Sequence, residues 1–198
     1  MLMSKKRREG LAIRLAPILN GMKRGPAVIL PKDIGTVIGY TGIGKKSIVV
    51  EAGAGSGFAT VILGNMVKKI TSYEWNEEFA NIAKENAKRA GLRNVKIKLG
   101  DVREGIEEKE VDLVLLDMPE ADKVVPHAHS ALKSGGFLVG FLPHFEQAKS
   151  FWMECEKAGF GDKFMLESIV REYEVREFGV RPKHIGLTHT AFLVFARK

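Results

Sequence analysis

The run from Glu51 to Gly57 constrains the fold more than any other feature of this 198-residue chain. It reads Glu-Ala-Gly-Ala-Gly-Ser-Gly, follows a β-branched apolar run and precedes a helix-like run. Glycines at alternate positions let the backbone bend sharply and let a ligand approach the main chain closely. The spacing Gly-x-Gly-x-Gly, with Glu51 two residues before Gly53, differs from the Gly-x-Gly-x-x-Gly of dinucleotide-binding turns. The run therefore predicts a strand-to-helix turn that binds a nucleotide-like cofactor.

Strand-like and helix-like runs alternate after residue 46. The predicted strands are residues 47–51, 69–74, 95–99, 111–117 and 137–142, and the predicted helices are residues 57–67, 76–90, 123–132 and 146–158. This alternation indicates a parallel sheet with helices on both faces. The last two strand-like runs, residues 165–175 and 190–196, have no helix between them, which predicts an antiparallel pair at one sheet edge. The predicted fold class is α/β and Rossmann-like, a mostly parallel seven-stranded sheet with an antiparallel C-terminal hairpin.

Positive charge is concentrated at the N-terminus. Residues 1–24 hold seven cations and one acid, whereas the whole chain has a formal net charge of +7. Such a cluster can neutralise the phosphates of a nucleic acid, or it can be a solvated tail that only aids solubility. Residues 1–46 are also rich in Gly and Pro, which indicates an arm and a lead-in and no separate folded unit. We divide the chain into a basic N-terminal arm, residues 1–24, and one domain, residues 25–198.

The sequence also argues against several classes of protein. No window approaches the roughly 18 consecutive apolar residues of a membrane span, and no signal-peptide apolar core follows the basic N-terminus. We therefore expect a cytoplasmic protein that does not engage a membrane. Cys155 is the single cysteine and is expected to be a buried, inert thiol. His127, His129 and His144 lack the spacing of metal ligands, so no metal site is predicted.

Acidic residues lie at the carboxyl ends of the predicted strands, where ligands bind in open α/β sheets. These residues are Glu51, Glu74, Asp101 and Asp117. Glu74 follows Gly53 by 21 residues, a spacing typical of an acid that accepts hydrogen bonds from ribose hydroxyls. The alternative is that Glu74 merely begins the next helix. Trp75 is a candidate to pack on an adenine face, or is a core or surface tryptophan.

The other two acids suggest adenine recognition and catalysis. Asp101, in Gly100-Asp101-Val102, can accept a hydrogen bond from an exocyclic adenine amine while a neighbouring backbone N–H contacts the ring, or it can simply form a turn. Asp117 ends the very apolar run Val111 to Leu116. An ionisable group in that place is costly unless it is used or paired. We therefore predict Asp117 as the catalytic residue.

With the glycine turn and these acids in order, the chain resembles class I adenosylmethionine-dependent methyltransferases. Its C-terminal part resembles more narrowly the tRNA adenine-N1 methyltransferases, which make 1-methyladenosine in the T-loop at tRNA position 57 or 58. The motifs that carry this narrower resemblance are Arg171-Glu172-Tyr173-Glu174-Val175, Arg181-Pro182, the run from His189 to Arg197, Pro31-Lys32-Asp33, and Leu142-Pro143 with Gln147.

The resemblance implies S-adenosyl-L-methionine as cofactor, tRNA as partner and a homotetramer. The cofactor-binding residues it implies are Glu51, Gly53, Gly55, Ser56, Gly57, Glu74, Trp75, Asp101, Val102 and Asp117. Asp117 is also the catalytic aspartate of the pattern. A general base is unnecessary when the product is a stable cation, so His189 is expected to be a structural, hydrogen-bonding residue.

The chain departs from the family pattern at three points. Leu30 stands where the family usually has tyrosine, and Ala121-Asp122 where it commonly has Pro-Trp. The separate N-terminal β-domain is expected to be missing. Phe145 and Tyr173 are therefore candidates to stack on the target base. Two alternatives remain: a class I methyltransferase acting on a small molecule such as a precorrin, and a non-catalytic RNA-binding partner subunit. The intact glycine turn and Asp117 argue against the second.

Overall fold

The computed structural model describes residues 14–25, 28–184, 186 and 188–198. Its helices are α1 (Pro31–Thr41), α2 (Phe58–Gly64), α3 (Glu77–Arg89), α4 (Val125–Ala131) and α5 (Phe145–Lys157), with short 3-10 helices at Pro17–Leu19 and Ala121–Val124. Its strands are β1 (Ile48–Ala52), β2 (Lys69–Glu74), β3 (Val95–Leu99), β4 (Val111–Leu116), β5 (Leu132–Leu142), β6 (Lys163–Leu166), β7 (Tyr173–Arg176), β8 (Gly179–Pro182) and β9 (Phe192–Arg197).

Seven of these strands form one sheet in the order β3-β2-β1-β4-β5-β9-β6. The first five in this order pair in parallel, and β9 is antiparallel to both β5 and β6. The predicted fold class is thereby confirmed. Strand β1 pairs with β2 on one side and with β4 on the other, so the strand order reverses at β1. A reversal of this kind opens a crevice at the carboxyl ends of the strands.

The sheet is buried on both faces, which explains why β4 is apolar throughout. Val114 and Leu116 pack in the core on one face, with Phe151 of α5. Leu113 and Leu115, one residue out of step, pack in the core on the other face. Cys155 is also buried, and this burial raises the pKa of its thiol to about 12, as expected for an inert cysteine.

Two parts of the chain differ from the sequence prediction. Helix α1 lies in the lead-in, a segment for which no helix or strand was predicted. Pro31 occupies its first position, which suits a residue without a backbone N–H, and Gly42 ends it at φ +65°. Burial of Ile34 and Val37 outweighs the low helix propensity of Gly35 and Gly39 in the same helix. In addition, the predicted strand over residues 165–175 is divided between β6 and β7, and β7 forms a separate hairpin with β8.

The described part of the predicted basic arm packs on the domain. Leu19 and Met22 are buried against Phe58 and Val61 of α2. The other part of the arm, which includes the run Lys5 to Arg8, lies outside the described residues. In the described parts of the chain, no helix is both long enough and apolar enough to cross a membrane.

Candidate active site

A cleft of about 1050 Å³ lies at the carboxyl ends of β1, β2, β3 and β4. It brings together seven of the predicted site residues: Gly53, Gly55, Glu74, Trp75, Asp101, Val102 and Asp117. The four strands are parallel neighbours, so the residues that follow them meet at one edge of the sheet. Residues distant in sequence therefore form one continuous wall.

The glycine turn contacts Asp117, the residue that follows β4. Gly53 has φ +85°, and the N–H groups of Gly53 and Ala54 both donate to the Tyr73 carbonyl oxygen at 3.1 Å. A Cβ atom on Gly53 would lie 1.8 Å from the Asp117 carbonyl oxygen. The Asp117 N–H in turn donates to the Ala52 carbonyl at 2.9 Å. Glycine is therefore required at position 53 both for conformation and for space.

Glu74 connects this turn to the cleft. One of its carboxylate oxygens, Oε2, accepts a hydrogen bond from the Gly55 N–H at 2.8 Å. The other, Oε1, accepts one from the Asn76 N–H at 3.0 Å. The residue is only 4% exposed, yet it lines the cleft. Because each carboxylate oxygen has two lone pairs, Glu74 can hold the turn and still accept hydrogen bonds from a diol.

Three of the predicted cofactor residues do not line the cleft: Glu51, Ser56 and Gly57. Oε2 of the buried Glu51 carboxylate accepts hydrogen bonds from the hydroxyls of Thr60 at 2.5 Å and Ser72 at 2.6 Å. Burial nevertheless raises the pKa of Glu51 to about 7. A Cβ atom on Gly57 would lie 3.2 Å from Ala83 of α3. These residues support the turn on the side away from the cleft. The sequence alone does not show which residues of the turn line the cleft and which support it.

Asp101 is held by Arg103, a residue that the sequence analysis did not single out. The Arg103 backbone N–H donates to Asp101 Oδ1 at 2.9 Å, and its guanidinium donates to both carboxylate oxygens. Hydrogen bonds and charge from Arg103 hold the pKa of Asp101 below its usual range. Arg103 Nη1 also donates to Glu120 Oε2 at 2.7 Å. Arg103 therefore joins the loop after β3 to the loop after β4.

The Asp117 carboxylate is the chemically distinctive group of the cleft. Among the hydrogen bonds of the described residues, none involves this carboxylate. Burial raises its pKa to about 7, and the negative charges of Glu51 and Glu74 raise it further. A partly buried carboxylate without an internal partner can accept a hydrogen bond from a ligand or stabilise a positive charge next to it. Asp117, the residue predicted for catalysis, can therefore serve either as a hydrogen-bond acceptor or as a counter-charge for a ligand.

The opposite wall contains His189, which the sequence analysis expected to be structural. Its Nδ1 lies 2.6 Å from Glu167 Oε1 and its Nε2 lies 2.9 Å from the Pro143 carbonyl oxygen. Because both ring nitrogens face acceptors, Glu167 first and Pro143 second raise the pKa of His189 above its usual value. The expected hydrogen-bonding role agrees with these contacts.

Next to His189, a buried network ties α1 to the C-terminal segment. The Thr190 hydroxyl donates to Asp33 Oδ2 at 2.9 Å. Lys32 Nζ donates to Asp33 Oδ1 at 2.7 Å, to Thr190 Oγ1 at 2.6 Å and to the Ser168 carbonyl at 2.6 Å. In the sequence, Pro31-Lys32-Asp33 was notable only as part of the family resemblance, and no local pattern identified this anchor.

The structure corrects the prediction of which residues could stack on the target base. Phe145 and Tyr173 do not line the cleft. Phe145 instead packs edge-on against Phe192, with the ring centroids 5.6 Å apart, and Tyr173 lies in β7. Leu30, at the position where tyrosine was expected, does line the cleft, together with Phe141.

Across the described residues, no group of three or more His, Cys, Asp or Glu side chains is placed to hold a metal ion. The site is therefore characterised by a glycine turn, three acids at strand ends, and a wall of apolar and hydrogen-bonded residues. Its arrangement suits a nucleoside-like cofactor with a polar sugar, and leaves one free carboxylate for the second substrate.

The chain is similar in sequence to known tRNA methyltransferases. Residues 22–191 match the sequence profile of the family described as "tRNA methyltransferase complex GCD14 subunit". The chain is 39% identical to the tRNA (adenine(57)-N(1)/adenine(58)-N(1))-methyltransferase TrmI of Methanocaldococcus jannaschii, over 91% of this chain and 74% of that protein.

Among solved structures, the fold is similar to the tRNA (m1A58) methyltransferase TrmI of Aquifex aeolicus. The TM-score is 0.84 and the identity 28%, over 91% of this chain and 73% of that one. A SAM-dependent O-methyltransferase from Thermotoga maritima also has a TM-score of 0.84, with 30% identity over 87% of this chain and 67% of that one.

Proposed function

Since the chain belongs to the GCD14 family of tRNA methyltransferase subunits, we propose that it methylates N1 of a T-loop adenosine, tRNA position 57 or 58, with S-adenosylmethionine as methyl donor. The observation that carries this proposal is the partly buried Asp117 carboxylate beside the glycine turn, which forms no hydrogen bond within the described residues. This carboxylate provides a negative group within the same cleft as the turn that would bind the cofactor.

The residues present fit the cofactor. Gly53 and Gly55 leave the turn without side chains, and the Glu74 carboxylate faces the same space, where it would accept hydrogen bonds from the ribose hydroxyls. Asp101 would accept a hydrogen bond from the adenine amine, with Val102 beside it in the wall. When bound, the cofactor supplies an electrophilic methyl group on a positively charged sulfur.

Asp117 would act on the acceptor base. Methylation at N1 turns a neutral adenine into a cation, so a carboxylate next to the base stabilises the charge that develops during transfer. It also accepts a hydrogen bond from the N6 amine and thereby orients N1. No proton needs to leave N1, which agrees with a His189 ring whose two nitrogens are both occupied by acceptors.

The acceptor is the part of the proposal that depends on relatives. A T-loop adenosine is stacked or paired in folded tRNA and must be extruded to reach a recessed carboxylate. The wall of the cleft includes Arg24, a cation that suits a base flanked by phosphates. A small-molecule acceptor such as a precorrin would be expected to fill a closed apolar pocket.

The test is a competition between acceptors. The protein is incubated with labelled S-adenosylmethionine and either unmodified tRNA or the same tRNA with guanosine at positions 57 and 58. We expect label in the first tRNA and almost none in the second. Equal labelling of the two would overturn the proposed acceptor site, and cofactor binding without any tRNA labelling would favour a small-molecule acceptor.

A further inference from the structure

A second depression, of about 430 Å³, lies outside the cleft between α3 and the edge strand β3. We call it the α3 patch. Lys84, Lys88 and Arg93 line it together with Ala87, Gly91, Leu92, Val95 and Ile97. No acidic residue is among these lining residues. The α3 patch is thus a shallow groove with small and apolar residues between its cationic side chains.

Charge is segregated around this groove. Residues 84–98 contain six cations and one acid, a second basic concentration besides the N-terminal arm. The acid, Glu85, forms an ion pair with Lys23 at 2.6 Å, and Lys98 is paired with Glu107 and Glu108. Among the ion pairs of the described residues, none includes a cation that lines the α3 patch. Within the part of the chain that the structure describes, these three charges therefore have no counter-charge.

Such an arrangement is unfavourable for the isolated protein. Lys84 and Lys88 are four residues apart on α3, so their side chains share one helix face, where like charges repel by a few tenths of a kcal/mol. Lysine on an edge strand can protect it from pairing with other chains, which accounts for Lys96 on β3. It does not account for the two lysines on the helix or for the groove between helix and strand. A bound polyanion would remove this repulsion.

Further cations connect the α3 patch to the cleft. Arg24 lines the cleft. Its neighbour Lys23 is fixed on α3, because its N–H donates to Asn86 Oδ1 and its carbonyl accepts from Asn86 Nδ2, both at 2.9 Å. One helical turn further along, Arg89 Nη1 lies 3.4 Å from the position of a Cβ atom on Gly21. Positive side chains therefore follow α3 from the cleft towards the groove.

We propose that the α3 patch binds the sugar-phosphate backbone of the tRNA at a distance from the methylated base. This inference rests on the proposed function, because tRNA is the polyanion that the cleft would receive. From Val95 to Gly100 of the cleft wall is five residues of extended chain, about 16 Å at roughly 3.3 Å per residue. The bound tRNA would therefore contact two separate places on the protein, the base in the cleft and the backbone in the groove.

The test compares two triple variants with equal changes of charge. One is K84Q/K88Q/R93Q, and the control is K45Q/K109Q/K149Q, three exposed lysines outside the groove. The tRNA dissociation constant is measured between low and moderate salt, and kcat, the KM for tRNA and the KM for the cofactor are measured at one salt concentration. Thermal unfolding confirms that both variants fold.

We expect the groove variant to raise the KM for tRNA about tenfold and to flatten the salt dependence of binding by about two in log-log slope. Its kcat and its KM for the cofactor should stay within twofold of wild type. The control variant should bind tRNA nearly as wild type does. Equal losses in the two variants, or a loss of kcat with unchanged tRNA binding, would overturn the proposal.

Binding and methylation separate this inference from the proposed function. If the wild type binds tRNA through the groove but methylates no adenosine, the proposed function fails and the α3 patch remains an RNA-binding surface. If the wild type methylates tRNA and the groove variant binds it unchanged, the proposed function holds and the α3 patch proposal fails.

Discussion

The Asp117 carbonyl oxygen lies 1.8 Å from the point that a Cβ atom on Gly53 would occupy. The turn that would hold the cofactor and the strand end that carries the predicted catalytic carboxylate are therefore in direct backbone contact. The Asp117 N–H also donates to the Ala52 carbonyl oxygen at 2.9 Å, which joins the two segments a second time. The position of the glycine turn, where the cofactor would bind, thus depends on the position of Asp117, and the reverse also holds.

Substitution of Gly53 by alanine should abolish cofactor binding. The new methyl group would clash with backbone atoms of Asp117, and alanine is strained at φ +85°. Gly91→Ala is the matched control, because Gly91 has φ +72° but no atom within 4 Å of the added Cβ. We expect the control to lose only about 1 kcal/mol of stability and to keep its cofactor affinity. Calorimetric titration with S-adenosylhomocysteine measures both variants, and equal affinities would contradict the role of this contact.

Substitution of Glu74 by glutamine should weaken cofactor binding by about 100-fold, corresponding to about 3 kcal/mol. An amide offers a single acceptor oxygen, so it cannot receive the Gly55 and Asn76 N–H groups on separate oxygens and a ribose diol as well. Fluorescence or calorimetric titration would detect the change. An affinity within threefold of wild type would show that Glu74 only supports the turn.

Asp101 and Glu120 should differ in their effect on cofactor recognition, although both pair with Arg103. Asp101→Ala removes the predicted acceptor for the adenine amine and should lower cofactor affinity about tenfold. Glu120→Ala removes the second partner of Arg103 and the partner of Lys123, and should leave this affinity within twofold. An analogue without the exocyclic amine should bind wild type and Asp101→Ala equally. If Asp101→Ala still preferred the cofactor over this analogue as strongly as wild type does, Asp101 would not be the acceptor for the adenine amine.

The stability of the cofactor-free protein should fall as pH rises from about 4 to about 7. Asp117 has a pKa raised from 3.8 to about 7, so across this range the folded state binds its proton more tightly than the unfolded chain does. Asp117→Asn cannot ionise and should be more stable than wild type at pH 8, by on the order of 2 kcal/mol. The pKa of Glu51 is raised to about 7 as well, so Asp117→Asn should keep part of the pH dependence of stability. Urea unfolding at several pH values tests this, with the exposed Glu104→Gln as control.

Much of the site could be predicted from sequence because it depends on positions along parallel strands. Alternation of strands and helices fixes which strand ends are neighbours, so acids after β2, β3 and β4 were expected to meet the glycine turn, and they do. Burial on both sheet faces also gives strands such as β4 a continuous apolar run that is easily identified.

The features that sequence did not predict depend on side-chain contacts between distant segments. Arg103 is only two residues from Asp101, so their pairing is a local contact. Its second partner, Glu120, lies in the loop after β4, and this contact depends on the fold. The groove cations are far from Lys23 in sequence, and the packing of Lys23 on α3 brings it to the helix that carries two of them. Helix α1 was missed because tertiary burial of Ile34 and Val37 outweighs local propensity. The tetramer that the resemblance implies stays a prediction.

The most direct test of this account is to locate the transferred methyl group. Wild type and Asp117→Asn are incubated with methyl-labelled S-adenosylmethionine and unmodified tRNA, and the digested nucleosides are separated. We predict labelled 1-methyladenosine for wild type and at least a 100-fold lower rate for Asp117→Asn, with cofactor binding retained. Label in any other nucleoside, or 1-methyladenosine formed equally fast by the variant, would contradict the account.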